Sequence, residues 1–254
     1  MNTAQVVGIV KNAGQLALSG YGLERGELKA DRTWVTQTDG KVEDFLREEF
    51  DALFEKDTRI FGEERGWSGK ESASYTVIID PIEGTSSFRE QVPLWGVEVG
   101  IFREGRPWVG VFNMPSANQF FLGEVGKGAQ LNGRPLKLSA PTIPIPDISY
   151  LGISSDAHHW NLHQYPGKIR GFGASGCHVA YVASEVLQAS LLTRFSFYDI
   201  AGTAIILWEA GGGLFYLSGQ PVTPEEIMTA QKPRDAVLAC HPDAFEETRK
   251  YIQR

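Results

Sequence analysis

The stretch Val77–Phe88 reads VIIDPIEGTSSF: an apolar, β-rich run ends in two carboxylates, Asp80 and Glu83, and then in Gly84, Thr85 and Ser86. Carboxylates at the end of a central strand repel each other and are costly to desolvate. A divalent cation removes that penalty. Hard Mg2+ takes carboxylate, carbonyl and water oxygens and usually shares them with a substrate phosphate. The Gly-Thr-Ser turn supplies backbone N–H groups and hydroxyls, a generic oxyanion cradle. Acids that hold metal, followed at once by donors that hold phosphate, are what metal-assisted hydrolysis of a phosphate ester requires.

Three further acidic features accompany this stretch: Asp39, the pair Glu63-Glu64 after a short strand and a glycine, and Asp199. Each alone has a structural reading. Asp39 and Asp199 suit helix N-caps, and Glu63-Glu64 suits a solvated turn.

The elements that must position these acids follow from periodicity. Apolar residues at helical spacing predict a helix over 4–19, stopped by Gly20 and Gly22, and a second from about Gly40 to Leu53 opened by Asp39. From Tyr75 the pattern turns to strands: Tyr75–Ile79, Trp95–Arg103, Trp108–Asn113, Gln119–Glu124 and a hairpin around Leu131–Pro135, an antiparallel meander. The proline-rich segment APTIPIPD at 140–147 is the expected boundary between a half spanning 1–140, with the main acidic motifs, and a half spanning 141–254, with Asp199. The second half alternates. Strands are expected near Ser149–Ile153, Ile169–Phe172, Ala189–Leu192, Gly213–Tyr216 and Ala236–Ala239. Helices are expected near Gly176–Glu185 and Ile200–Glu209, with a terminal helix capped by Asp243.

With 254 residues, 42% hydrophobic and 22% charged, the chain is long enough and apolar enough for a sizeable core. Its net charge of -7 makes it a poor match for nucleic acid or an anionic membrane. Cys177 and Cys240 form no CxxC pair, and neither a secretory signal nor an 18-residue apolar run is visible. The expected location is the cytoplasm.

Taken together, the motifs resemble those of the inositol monophosphatase-like superfamily, Mg2+-dependent and often lithium-sensitive phosphatases. DPIEGTSSF is similar to its DP-(I/L)-DGT-x-x-F signature. The segment from Lys29 through Asp31, Thr33, Val35 and Thr36 to Asp39 is similar to K-x-D-x-S-x-V-T-x-x-D. Phe61-Gly62-Glu63-Glu64 resembles the GEE motif. Tyr198-Asp199-Ile200-Ala201-Gly202 and Glu209-Ala210-Gly211-Gly212 resemble W-D-x-A-A/G and E-A-G-G. Gly173-Ala174-Ser175 corresponds to the small residues lining the substrate side. The motifs occur in family order across about 29–213.

The resemblance implies a layered α/β sandwich (αβαβα), with an antiparallel sheet in the N-terminal half and a smaller mixed sheet in the C-terminal half. It implies that Glu63, Asp80, the Ile82 carbonyl, Glu83 and Asp199 hold two or three Mg2+ ions. Asp39 and Thr85 would orient and deprotonate the attacking water, with Glu63 also at the catalytic centre. Gly84, Thr85 and Ser86 would bind phosphate, and Gly173, Ala174 and Ser175 would face the rest of a small phosphorylated metabolite. A homodimer is the assembly it implies. Arg194, read from its own position and not from the resemblance, is a candidate contact for a second anionic or polar group, with a solvent-exposed arginine as the alternative.

Three positions depart from the pattern. Glu83 stands where Asp is usual. Leu192 stands seven residues before Asp199, where inositol-selective members carry Glu, and it cannot hydrogen-bond a polyol. Tyr198 replaces Trp. The expected activity is therefore a phosphomonoesterase for a sugar, polyol or related metabolite phosphate, with inositol monophosphate, fructose 1,6-bisphosphate, histidinol phosphate and 3'-phosphoadenosine 5'-phosphate as candidates. A reading from another class, a catalytically impaired metal- or phosphate-binding homologue, rests on Glu83. His178 is a candidate for a second polar contact, and the pair His158-His159 is not needed for metal, since the acids account for it.

Overall fold

The computed structural model describes residues 3–29, 34–156 and 159–253. Asp31, Thr33 and His158 therefore lie outside the described residues.

Two helices, α1 (Thr3–Gly20) and α2 (Gln37–Leu53), flank a small ribbon of β1 (Glu27–Leu28) and β2 (Trp34–Val35). Then follow β3 (Thr58–Gly62), β4 (Gly66–Gly69), β5 (Tyr75–Glu83) and the single turn α3 (Thr85–Arg89). β6 (Gly96–Arg103), β7 (Arg106–Met114), β8 (Gln119–Glu124), β9 (Gly128–Leu131) and β10 (Arg134–Leu136) continue as a meander. The C-terminal half runs β11 (Tyr150–Ile153), β12 (Lys168–Arg170), α4 (Ser175–Ala183), β13 (Ala189–Leu192), α5 (Ala201–Glu209), β14 (Gly213–Tyr216), α6 (Pro224–Met228), β15 (Val237–Cys240) and α7 (Phe245–Arg249).

The larger sheet has eight strands in the order β10-β9-β8-β7-β6-β5-β3-β4. It is antiparallel except between β3 and β5, which run parallel because the β4 hairpin folds outward and becomes the edge. The second sheet has the order β12-β11-β13-β15-β14 and is mixed.

Strand alternation sorts side chains between layers. On β5, Val77 and Ile79 join the cluster under α1 and α2, whereas Ile78 joins the cluster holding α4 and α5. On β13 and β15, Leu192, Val237 and Ala239 face that same middle cluster, while Leu191, Leu238 and Cys240 face a third cluster with Phe245 of α7. The layers are thus helices, eight-stranded sheet, helices, five-stranded sheet and helix, the expected αβαβα sandwich.

The middle layer fits closely because a cross-strand row of glycines makes room for α5. Gly100 pairs with Gly110, and Gly110 with Gly123. A methyl group on Gly100 would sit 2.7 Å from the Ala201 backbone, and one on Gly110 would sit 2.1 Å from the Gly202 carbonyl oxygen. One on Gly123 would sit 2.8 Å from the Ile206 Cα. Residues from both sides of the proline-rich segment 140–147 share this middle cluster. Among the described residues, no helix is long and apolar enough to cross a membrane.

Several boundaries differ from expectation. α2 starts at Gln37, with Thr36 as N-cap, and Asp39 sits inside the helix rather than opening it. Asp199 likewise lies inside a short 3-10 turn, Phe197–Ile200, capped by Ser196. The last helix follows a 3-10 turn capped by His241, not by Asp243. β5 continues through Asp80 to Glu83 with an irregular register, so the acids sit within the strand's last residues rather than beyond them. The ribbon β1–β2 and the strand β4 are additional elements, short and rich in exposed residues.

Candidate active site

Four chain segments bring the acids together. The irregular end of β5 carries Asp80 and Glu83, both buried. The N–H of Ile82 donates to Asp80 Oδ1 at 3.1 Å, which folds the Asp-Pro-Ile turn back on itself. Gly84 then takes φ 90°, a left-handed conformation that glycine reaches without cost, and turns the chain into α3. Its hydrogen-bearing Cα also lets the turn lie against Ala174, since a methyl there would come within 2.9 Å of the Ala174 Cβ. Ser86 is exposed on this turn, and Thr85 is half-buried.

The first turn of α2 supplies Asp39. Its Oδ2 accepts from the Thr36 N–H at 2.8 Å and from the Thr36 hydroxyl, the reciprocal half of a capping box. Its Oδ1 faces the Thr85 hydroxyl at 3.4 Å, and that hydroxyl also lies 3.0 Å from the Ile82 carbonyl oxygen. Asp199 is held in the same local way: Oδ2 accepts from the Ser196 N–H at 2.9 Å.

Glu63 and Glu64, at the end of β3, both receive the Lys29 ammonium, with Glu63 Oε1 at 3.0 Å. The Glu63-Glu64 turn is therefore ion-paired rather than simply solvated. The Glu64 N–H donates to the buried Glu43 carboxylate at 2.7 Å, which fixes the hairpin on α2.

Burial and mutual repulsion raise the carboxyl pKa values across the cluster. Asp80 is pushed well up by burial and by the charges of Glu63, Glu83, Asp199 and Asp39. Asp199 is pushed well up by burial and then by Glu83. Burial also raises Glu63 against the pull of Lys29. Asp39 rises to about 7, chiefly from burial, and Glu83 to about 7 from burial opposed by backbone N–H groups. For Lys29, burial works to lower the pKa, but Glu63 and Glu64 carry it upward.

The donor set is all oxygen, anionic and buried, the chemistry a hard divalent cation takes. As the side chains stand, no group of three or more His, Cys, Asp or Glu among the described residues is arranged to hold a metal ion. Each of these acids has a protein partner: Glu63 pairs with Lys29, Glu83 accepts from the N–H of Gly176, and Asp39 and Asp199 close their own capping boxes. The residue types fit Mg2+.

Ser154, Asp156, Gly173, Ser175, His178 and Arg194 line a cavity of about 280 Å3. Arg194 is exposed, with Asp156 Oδ2 3.6 Å from its Nε. The Asp156 carboxylate also accepts from the Thr193 hydroxyl. His178 is buried: Nε2 accepts from the Phe172 N–H at 3.1 Å and Nδ1 pairs with Ser190 Oγ at 2.9 Å. Burial lowers its pKa to about 4, so it is neutral and holds the Phe172-Gly173 turn. Leu192 is fully buried in the middle core and offers no face to the cavity. The Glu209-Ala210-Gly211-Gly212 stretch serves packing. Glu209 Oε2 accepts from the N–H groups of Gly126 at 3.0 Å and Gly128 at 2.9 Å, tying the end of α5 to the β8–β9 turn.

The sequence reading passed over Glu98. It is fully buried on β6 opposite Asp80, its pKa pushed well up by burial, and its Oε2 has no hydrogen-bond partner among the described residues. The signal was present: a lone charge inside the apolar alternation WGVEVGIF. Asp156 was also missed, and no local pattern distinguishes it from a loop acid.

A family model described as the inositol monophosphatase family matches residues 2–247. The chain is 32% identical over 230 residues to a histidinol-phosphatase of Chlorobaculum parvum, covering 84% of each chain. It is 28% identical over 244 residues to a fructose-1,6-bisphosphatase/inositol-1-monophosphatase of Aquifex aeolicus, covering 91% of this chain and 87% of that one. Its fold is similar to that of the extragenic suppressor protein suhB from Bartonella henselae, with TM-score 0.85 at 22% identity over 98% of this chain and 97% of that one. The chain belongs to the inositol monophosphatase family, whose members are hydrolases of phosphoric monoesters.

Proposed function

We propose that the protein is a Mg2+-dependent phosphomonoesterase for a small sugar, polyol or related metabolite phosphate. The observation that carries this reading is the cluster of buried Asp80 and Glu83 with half-buried Glu63 and Asp199, in which burial and the neighbouring charges push the Asp80 and Asp199 pKa values well up beside the Gly84–Ser86 turn. Glu63, Asp80, Glu83, Asp199 and the Ile82 carbonyl are the groups that would hold two or three ions. Bound there, Mg2+ lowers the pKa of water and offsets the charge of the phosphate and of the leaving alkoxide.

The chain's own residues do the rest. The Thr85 hydroxyl stands within reach of Asp39 Oδ1 and of the Ile82 carbonyl; with its one proton given to Asp39 Oδ1, its lone pair accepts from the attacking water and orients it. A carboxyl with a pKa near 7 suits a general base at neutral pH. Gly84, Thr85 and Ser86 bind the phosphate oxygens. Gly173, Ala174, Ser175 and Arg194 form the wall that meets the leaving group.

Among the candidate substrates, Leu192 argues against inositol 1-phosphate, because a core leucine gives a polyol no partner. Histidinol phosphate and fructose 1,6-bisphosphate, suggested by the names of the similar proteins, remain in the panel with 3'-phosphoadenosine 5'-phosphate. Inhibition by Li+, a homodimeric assembly and a cytoplasmic location belong to the same reading. The test is phosphate release from that panel by purified protein with Mg2+, with chelator, and with added Li+. Mg2+-stimulated release from at least one ester is expected. No stimulated release from any of them sinks the proposal.

A further inference from the structure

Two helices that build the site lack a cap of their own. The N-cap residue of α4 is Ala174 and that of α5 is Ile200, and neither supplies a side-chain hydrogen bond. Alanine and isoleucine are among the poorest N-cap residues, and an uncapped first turn leaves backbone N–H groups without partners. In this fold the missing acceptors come from neighbouring strands. Glu83 Oε1 accepts from the Gly176 N–H at 2.6 Å, and the N–H groups of Ser175 and Gly84 also stabilise its ionised form. Glu98 Oε1 accepts from the Thr203 N–H at 2.6 Å and from the Thr203 hydroxyl at 3.0 Å. The two acids meet at one glycine. A methyl on Gly176 would lie 3.1 Å from Glu83 Cγ, 3.2 Å from Glu98 Oε2 and 3.2 Å from the Asp199 carbonyl oxygen.

This arrangement gives a reason for glutamate at 83. An aspartate is shorter by one methylene, about 1.5 Å, and from the same backbone position cannot both stay among Asp80 and Asp199 and reach the first turn of α4. We propose that Glu83 is the N-cap of α4 supplied from β5, and through it the link between the cation site and the substrate wall Gly173–Ser175. One carboxylate oxygen holds the helix and the other is left for the cation. Cation binding then fixes the carboxylate, and with it the α4 end of the wall. The cap stands on the structure alone, and the link to the cation rests on the proposed phosphatase reading.

The test is hydrogen exchange of the 173–177 segment in the full-length chain, with Mg2+ binding followed in parallel by calorimetry. Without cation, Glu83→Asp should exchange about three- to tenfold faster than wild type in this segment. Glu83→Gln keeps the length and an acceptor and should stay near wild type. The 201–204 segment, capped by Glu98, should not change in either variant. Wild-type protection in Glu83→Asp overturns the cap. If Glu83→Asp does not fold, Ala174→Asp in the same background supplies a local cap and should restore folding and protection; failure to do so also overturns it.

With Mg2+ at saturation, exchange of 173–177 in wild type should slow at least about threefold, while Glu83→Asp binds the ion with no change there. Calorimetric binding to wild type without slower exchange overturns the link. No calorimetric binding to wild type overturns the cation reading and the link together, and the cation-free comparison still decides the cap.

Discussion

The acids of the site are held by two opposite means. Asp39 and Asp199 are fixed by residues three positions away, Thr36 and Ser196, in capping boxes closed within a single turn. Glu83 and Glu98 instead reach α4 and α5 across 93 and 105 residues of sequence. The same chemical group, a carboxylate on backbone N–H donors, is local in one case and tertiary in the other. A locally held acid keeps its place through its own turn, so its second oxygen can be given to chemistry at little cost to the fold. An acid that anchors a distant helix carries part of the fold itself.

That contrast can be broken by substitution. The largest effect is expected for Asp39→Asn: phosphate release should fall about 10²- to 10⁴-fold, as for loss of a general base. Thermal unfolding should move little, because the amide oxygen still accepts from the Thr36 N–H. A large loss of stability with modest loss of rate would reverse the assignment. Glu98→Ala should show the opposite emphasis. It leaves the Thr203 N–H and hydroxyl without their buried acceptor and should cost about 1–3 kcal/mol in denaturant unfolding. Glu98→Gln, which keeps an acceptor, should recover most of it.

The pH dependence sharpens the comparison, because one acid of each kind, locally held Asp39 and tertiary Glu83, is raised to about 7. An unfolded chain releases those protons near pH 4. Between about pH 4 and 7 the folded chain holds more protons than the unfolded one, so stability without cation falls as pH rises through that window. The slope is at most about 1.4 kcal/mol per pH unit for each group. Denaturant titrations in chelator should show the decline, and saturating Mg2+ should flatten it. Stability that rises over the window would contradict the buried cluster. The smallest effect is expected for Thr36→Ala, about 1 kcal/mol, read as a shift in the urea midpoint with unchanged slope.

What could be read in the sequence follows the same division. The acids of the site were visible because they interrupt apolar runs or open helical ones, and the strands from β5 to β8 because their alternation and turns are local. The start of α2 was displaced because an aspartate at the third helical position looks like a cap, although Thr36 three residues earlier completes the box. Asp199 misled in the same way. β1, β2 and β4 escaped because each is short and held by pairing rather than by its own pattern. Glu98 was an odd charge in a strand. Its meaning depends on which helix lies over that strand, and no local spacing encodes that. Glu83 stood out in the sequence as a departure from Asp that could weaken the site, and only α4, more than ninety residues on, shows what its extra methylene reaches.

The glycine row on β6, β7 and β8 bears on how the molecule could be divided. Gly100, Gly110 and Gly123 belong to the half before the proline-rich segment, while the helix bedded in them belongs to the half after it. Each half therefore carries one surface of a joint and lacks the other. Expressed apart, 1–140 would show water a trough shaped for a backbone that is not there, and 141–254 would carry a helix, buried along nearly all its length, with nothing to lie on. The proline segment carries the chain from the eight-stranded sheet to the five-stranded one. An exchange of halves between relatives would succeed only where the incoming helix is as narrow at its Ala201-Gly202 end as the one it replaces.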